Sequence, residues 1–124
     1  MYLIRHLAIA AALVLASASV PAQDIIKASP EHNKLLTETA HLRLIEGWLE
    51  PGAHQALHEH TPYIVYILEG GSLEVRYKDG KVKKLEGVAG QSFGEDADPP
   101  HETWNVGKTK VRWLLIETKT GPKK

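Results

Sequence analysis

The stretch GAHQALHEH, residues 52–60, carries the most information about the fold. It opens with a glycine and ends with His58 and His60, two residues apart. In an extended strand such residues project to the same face, and His54 joins them if the strand is regular. Two imidazoles on one face supply half of a transition-metal site, and a neighbouring strand can supply the rest.

A second stretch, DPPHETWN at residues 98–105, predicts where the partner strand lies. Residues before proline avoid the helical region, so the two prolines favour an extended approach to His101. On regular alternation His101, Thr103 and Asn105 share one face, and Glu102 points to the other. The spacing therefore makes His101 a candidate third ligand and Glu102 a poor one.

The rest of residues 41–119 is typical of short strands separated by turns. Alternation along residues 73–77 predicts a half-exposed strand, and Asp79-Gly80 predicts a hairpin after it. Residues 64–68 are apolar on both parities, which predicts a strand covered on both faces. Further strands are expected at residues 42–49, 81–85, 91–93, 101–105 and 111–118. Leu42, Leu44 and Trp48 alternate along the first of these, and Trp48 and Trp113 are expected in the core. The sequence indicates a single all-β domain, either a barrel or a sandwich.

The N-terminal region is typical of a secretory signal. A short basic start precedes an apolar run from Leu7 to Leu15. Val20-Pro21-Ala22 is a suitable cleavage site, with Ala16-Ser17-Ala18 as the second choice. We therefore expect a signal peptide at residues 1–22, an N-terminal segment at 23–40 with one helical turn at Ser29-Pro30-Glu31, the barrel at 41–119 and a tail at 120–124. The expected location is the periplasm or the exterior.

Charge and composition exclude several classes of partner. Acidic and basic residues balance at 15 each, so the chain lacks the basic surface of a nucleic-acid binder. The apolar run is shorter than the roughly 20 residues of a membrane span, so no membrane partner is expected after cleavage. Because the chain has no cysteine, the barrel must be stable without disulfides.

The motifs together resemble a known superfamily. Gly52-x5-His58-x-His60, Leu68-Glu69-Gly70, Gly90 and His101-x3-Asn105 are similar to the two motifs of the cupins, and the chain resembles their small, functionally uncharacterised secreted members. The resemblance implies a double-stranded β-helix, or jelly-roll barrel, that is often a homodimer. It also implies that His58, His60 and His101 bind a divalent transition metal, with iron, zinc, nickel, manganese and copper as the options.

The chain departs from the cupin pattern at one ligand. Cupin enzymes usually carry a glutamate after the second histidine, but Tyr63, Ile64 and Val65 occupy the corresponding positions here. Three interpretations stay open: a three-histidine metal site, a site with His54 as fourth ligand, or a polar pocket that has lost its metal. The side chains expected to line the pocket are Tyr63, Tyr66, Gln91 and Asn105.

These expectations leave the activity open between two classes. In the first, the protein binds a metal and a small organic molecule and converts it, for example as a three-histidine dioxygenase. In the second, it is a non-enzymatic periplasmic protein that binds a ligand or captures a metal. The fold does not decide between them, because small barrels of this kind support many functions.

Overall fold

The computed structural model describes residues 23–119. The predicted signal peptide and the tail at 120–124 lie outside the described residues. The elements are a short helix α1 (Ile25–Ala28), a 3-10 turn (Pro30–His32) and the strands β1 (Asn33–Glu38), β2 (Leu42–Leu49), β3 (His54–His60), β4 (Tyr63–Glu69), β5 (Gly71–Tyr77), β6 (Val82–Gly87), β7 (Ser92–Glu95), β8 (Asp98–Asn105) and β9 (Val111–Thr118). Within residues 23–119, no helix is long and apolar enough to cross a bilayer.

The strands form two antiparallel sheets that enclose one core. One sheet has the order β1-β2-β9-β4-β7 and the other β3-β8-β5-β6. Among residues 23–119, the buried apolar side chains other than that of Ala97 belong to one cluster, made of Ile25, Ile45, Leu49, Val65, Ile67, Leu73, Val111, Trp113 and Leu115. This arrangement confirms the predicted all-β, single-domain double-stranded β-helix.

The N-terminal segment contributes more structure than its sequence indicates. The predicted turn is present at Pro30–His32. Strand β1 was not predicted, and its pairing with β2 extends the sheet to residues before position 41. Helix α1 was not predicted either; its N-cap Asp24 accepts hydrogen bonds from the backbone N–H groups of Ile26 and Lys27. Such a short helix depends on capping and on packing rather than on its own propensity.

The inward face of β2 is the opposite of the predicted one. Its buried residues include Ile45 and Leu49, whereas Leu42 is exposed and Trp48 is only half-buried. Trp113 lies in the core, as expected. The indole of Trp113 occupies the space across from Gly47, where an added Cβ would lie 2.5 Å from the ring. The face that carries Ile45, Gly47 and Leu49 therefore points to the core, and the face that carries Leu42, Leu44 and Trp48 does not.

Strand β4 is covered on one face only within this chain. Val65 and Ile67 are buried in the core, whereas Ile64 is 54% and Tyr66 44% exposed. The prediction of a strand covered on both faces is thus not met by the described residues of a single chain. Its outer face remains available to another molecule.

Candidate metal centre

Pairing of β3 with β8 brings three histidines into one cluster. His58 lies directly across from His101, and His60 follows on the same strand as His58. One ring nitrogen from each of the three lies within 4.8 Å of those from the other two. All three residues are buried, so the cluster lies inside the barrel.

Each of these imidazoles has its Nδ1 atom held by an oxygen that can only accept a hydrogen bond. Nδ1 of His58 lies 2.7 Å from the carbonyl oxygen of Ala56, and Nδ1 of His101 lies 2.7 Å from that of Pro99. Nδ1 of His60 lies 3.1 Å from a carboxylate oxygen of Glu117. Nδ1 must therefore carry the hydrogen in all three neutral rings, which leaves the Nε2 lone pairs free.

Burial also favours the neutral form of two of these histidines. It lowers the pKa of His58 well below its ordinary value, and the neighbouring His60 and His101 lower it further. Burial lowers the pKa of His101 as well, against the opposing effect of its hydrogen bond to Pro99. Metal ions bind neutral imidazole, and metal-bound histidines almost always donate their second nitrogen to an acceptor. The donor set therefore fits a divalent metal ion.

The structure does not bring His54 to this cluster. Pairing of β3 with β8 is irregular between Gln55 and His58, so the alternation assumed from the sequence is interrupted. Gln55 faces the interior instead, whereas the side chain of His54 is 43% exposed. The His54 ring stacks on Trp104 at 4.0 Å between centroids.

A cavity of about 80 Å³ adjoins the histidines. Its wall is mainly apolar and is completed by Ile25 of α1, which is 1% exposed. The polar groups that line it, besides the three histidines, are Gln55, Tyr63, Tyr77, Lys83, Asp98 and Thr103. An apolar cavity with a few converging polar groups is the usual form of a small-molecule site.

Of the four predicted pocket residues, only Tyr63 lines this cavity. Tyr66 points outward from β4, and Gln91 is exposed and hydrogen-bonds to the backbone of Val88. Asn105 is on the predicted inward face but has a structural role, because its amide donates to the carbonyl oxygens of Leu49 and Thr109. The predictions for Tyr66, Gln91 and Asn105 as pocket residues are therefore wrong.

Two carboxylates near the histidines were missed. Asp98 accepts a hydrogen bond from the hydroxyl of Tyr63 at 3.0 Å. Burial and the charge of Asp98 raise the pKa of Tyr63, and together they raise the pKa of Tyr77 to about 12, so both hydroxyls remain donors at neutral pH. The missing family glutamate therefore does not leave the cavity without acidic groups.

The second carboxylate, Glu117, could have been found from the sequence. In β9 the alternating residues Val111, Trp113 and Leu115 are apolar, and Glu117 continues their parity. A charged residue in a series of core positions is expected to have a buried partner. Asp98 carried no such signal, because the two prolines after it hide the strand alternation.

Comparison with known proteins agrees with the architecture. The family described as "Cupin domain" matches residues 41–117. A cupin domain protein of Bordetella pertussis is 20% identical, with 71% of this chain and 92% of that chain covered and a TM-score of 0.65. An RmlC-like cupin of Methanocaldococcus jannaschii is 13% identical, with coverages of 69% and 77% and a TM-score of 0.58.

One similar structure carries a named activity. The polyketide cyclase RemF of Streptomyces resistomycificus is 20% identical, with 73% of this chain and 66% of that chain covered and a TM-score of 0.56. At these identities the likeness establishes the fold alone. No curated protein matches the sequence at a significant level.

Proposed function

Because the chain belongs to the cupin domain family, we propose that His58, His60 and His101 hold one divalent transition-metal ion. In this proposal the adjoining cavity receives a small organic molecule that is bound or converted there. The observation that carries the proposal is a cluster of three buried imidazoles, each with Nδ1 held by an acceptor and Nε2 free.

The number of protein ligands and the volume of the cavity limit which reactions and which substrates the site can accommodate. Three protein ligands leave further positions open, as catalytic metal sites require. A bound ion would supply Lewis acidity or, if redox-active, electron transfer. The cavity of about 80 Å³ is smaller than the roughly 150 Å³ site that accommodates benzene. Because open positions remain on the metal, we favour a three-histidine dioxygenase or a related enzyme. Because the cavity is small, we favour small chelating substrates such as keto acids and diketones over phenols.

The chain's own polar groups would orient such a molecule. Lys83 lines the cavity with a positive charge, which suits a carboxylate or a polarised carbonyl oxygen. Tyr63 and Tyr77 lie on the same wall as Asp98 and keep their hydroxyl hydrogens at neutral pH. The apolar remainder of the wall excludes water from the bound molecule.

Metal content is the first test. The purified protein should bind one equivalent of zinc, cobalt or iron, and His58→Ala and His101→Ala should bind none at the same concentration. Equal metal content in wild type and both variants would contradict the assignment. With metal bound, oxygen uptake with keto acids and diketones, and weaker uptake with phenols, is the expected sign of an oxygenase.

A non-enzymatic role is the second candidate. Among residues 23–119 the group that could hold a metal contains histidines only, so the carboxylate usual in cupin enzymes is missing from it. Under this alternative the protein binds metal with full occupancy, or binds a small acid, but consumes no oxygen with any compound of the panel. Metal binding without turnover would favour this candidate over the oxygenase.

The outer face of one sheet supports a homodimer as part of the proposal. Leu44, Ile116 and Ile64 lie side by side across β2, β9 and β4, and the last two are 38% and 54% exposed. Further along the same face of β9, Arg112 pairs with Glu46 and Glu69, so both signs of charge are available to a second copy related by a two-fold axis. Sedimentation should give a dimer for wild type and for the control Val82→Lys, and a monomer for Ile64→Lys/Ile116→Lys. A wild-type monomer would contradict this part.

We also propose that the protein is exported from the cytoplasm. This part rests on the signal-like sequence of residues 1–22. The expected mature protein begins at Gln23 and is recovered outside the cytoplasm. N-terminal sequencing of the fractionated protein tests this, and a cytoplasmic protein that retains its N-terminal residues would contradict it.

A further inference from the structure

A chain of charged side chains connects the N-terminal segment to one histidine of the cluster. Arg43 on β2 lies directly across from Glu117 on β9. Its Nε and Nη2 atoms both donate to Oε1 of Glu117, and Nη2 also donates to Oδ2 of Asp24. The other oxygen of Glu117, Oε2, accepts from Nδ1 of His60 at 3.1 Å.

Glu117 is the residue on which this connection depends. It is 4% exposed, and a buried carboxylate without partners would strongly destabilise the fold. Arg43 supplies the compensating charge to one oxygen, which leaves the other oxygen to act as an acceptor. The charge is shared with Asp24, whose pKa is raised by burial but held below its ordinary value overall by the Arg43 guanidinium.

His60 differs from the other two histidines in how it is held. His58 and His101 donate to backbone carbonyl oxygens, which no substitution removes. His60 donates to a side chain, so its tautomer depends on the identity of residue 117. We infer that Glu117 is a positioning residue that keeps the hydrogen of His60 on Nδ1 and so presents Nε2 to the metal, with Arg43 and Asp24 holding Glu117 in place.

This inference rests on the proposed metal function but has a test without metal. The tautomer of His60 can be determined by long-range ¹H–¹⁵N NMR of the metal-free protein at pH 8. Wild type should show the hydrogen on Nδ1 of His60. A hydrogen on Nε2 in wild type would overturn the inference without any substitution.

The sharpest variant is Glu117→Gln, which keeps the size of the side chain. Arg43 donates twice to one position and therefore requires the amide oxygen there, so the amide NH₂ must face His60. Nδ1 of His60 would then have to accept, and its hydrogen would move to Nε2. We expect this change of tautomer and a 10- to 100-fold weaker affinity for zinc, the usual effect of losing such a partner.

Glu69→Gln is the matched control. Glu69 is also held by an arginine, Arg112 at 2.9 Å, but it is exposed and makes no hydrogen bond or ion pair with a histidine of residues 23–119. It should leave both the His60 tautomer and the zinc affinity unchanged.

The outcomes separate the two proposals. If wild type binds zinc and Glu117→Gln keeps the wild-type tautomer and affinity, the positioning role is wrong and the metal function stands. If wild type does not bind zinc but Glu117→Gln moves the hydrogen, the metal function is wrong and Glu117 still sets the tautomer. A lower melting temperature with no change in tautomer would indicate a structural role only and would overturn the inference.

Discussion

The two faces of the β3–β8 strand pair both carry histidine but place it in different environments. On the inner face His58 and His101 are buried, and each donates through Nδ1 to a backbone carbonyl oxygen. On the outer face His54 stacks on Trp104, and its Nε2 lies 3.7 Å from a carboxylate oxygen of Glu102. The residue type is the same, but only the inner face fixes which nitrogen is free.

In this barrel, the surroundings of the ring distinguish a candidate ligand from a surface histidine. The inner rings are desolvated, which favours their neutral form, and their orientation is set by hydrogen bonds. The outer ring contributes packing, and Arg76 lies over the other participant in the stack, Trp104, at 4.2 Å. A His-x-His spacing alone does not contain this distinction.

The largest expected difference between the faces is in metal affinity. His101→Ala should weaken zinc binding by more than about 100-fold, because loss of an outer-shell partner alone typically costs 10- to 100-fold. His54→Ala should leave the affinity within about 2-fold of wild type, since its ring is outside the cluster. A competition titration with a chromophoric chelator at pH 7.5 measures both. If both variants lost zinc affinity to a similar extent, His54 would contribute as much to metal binding as His101, against this prediction.

A smaller effect is expected in the pH dependence of stability without metal. The pKa of His58 in the folded protein is lower than the unfolded value of about 6.5, so the unfolded chain binds more protons below that pH. The contribution of His58 to the free energy of unfolding is therefore present in full above about pH 6.5. It is lost as the pH falls through the lowered pKa of His58 in the folded protein. Urea unfolding between pH 8 and pH 4.5 should show this decline.

His58→Gln should make that decline shallower, because one inner-face titrating group has been removed. The remaining slope should come in part from His101, whose pKa is also lowered. An identical slope in wild type and His58→Gln would show that burial of His58 does not contribute to the acid sensitivity.

The smallest expected effect concerns the outer face. Trp104→Ala removes the stack with His54 and the contact with Arg76, each worth about 0.5–1.5 kcal/mol at such sites. We expect a loss of about 1–3 kcal/mol in the free energy of unfolding and an unchanged zinc affinity. A loss of zinc binding in this variant would show that the two faces are coupled.

Much of the fold could be predicted because local patterns and tertiary structure agree. The alternation of β5 and β9, the hairpin at Asp79-Gly80 and the extended approach to His101 all follow from local stereochemistry. The face of β2 could not be predicted, because both of its parities contain apolar residues. The choice is made across the sheet, where Gly47 gives space to the indole of Trp113.

The histidines of the site could be predicted from the sequence, and the side chains around them only in part. The spacing of His58 and His60 and the position of His101 are local features, and the structure brings these three together. The separation of His54 depends on an irregularity in strand pairing, which has no marker in the sequence. The contacts of Glu117 with Arg43 and His60 join three strands, so their pattern emerges only from the folded chain.

The central claim is that the free Nε2 atoms of His58, His60 and His101 hold one metal ion. A crystal structure of the zinc-loaded protein, with the ion located by its anomalous scattering, tests it most directly. The account predicts a single strong peak at about 2.0–2.1 Å from Nε2 of all three histidines. A peak at His54, bonding through any Nδ1, or fewer than three histidines around the ion would contradict it.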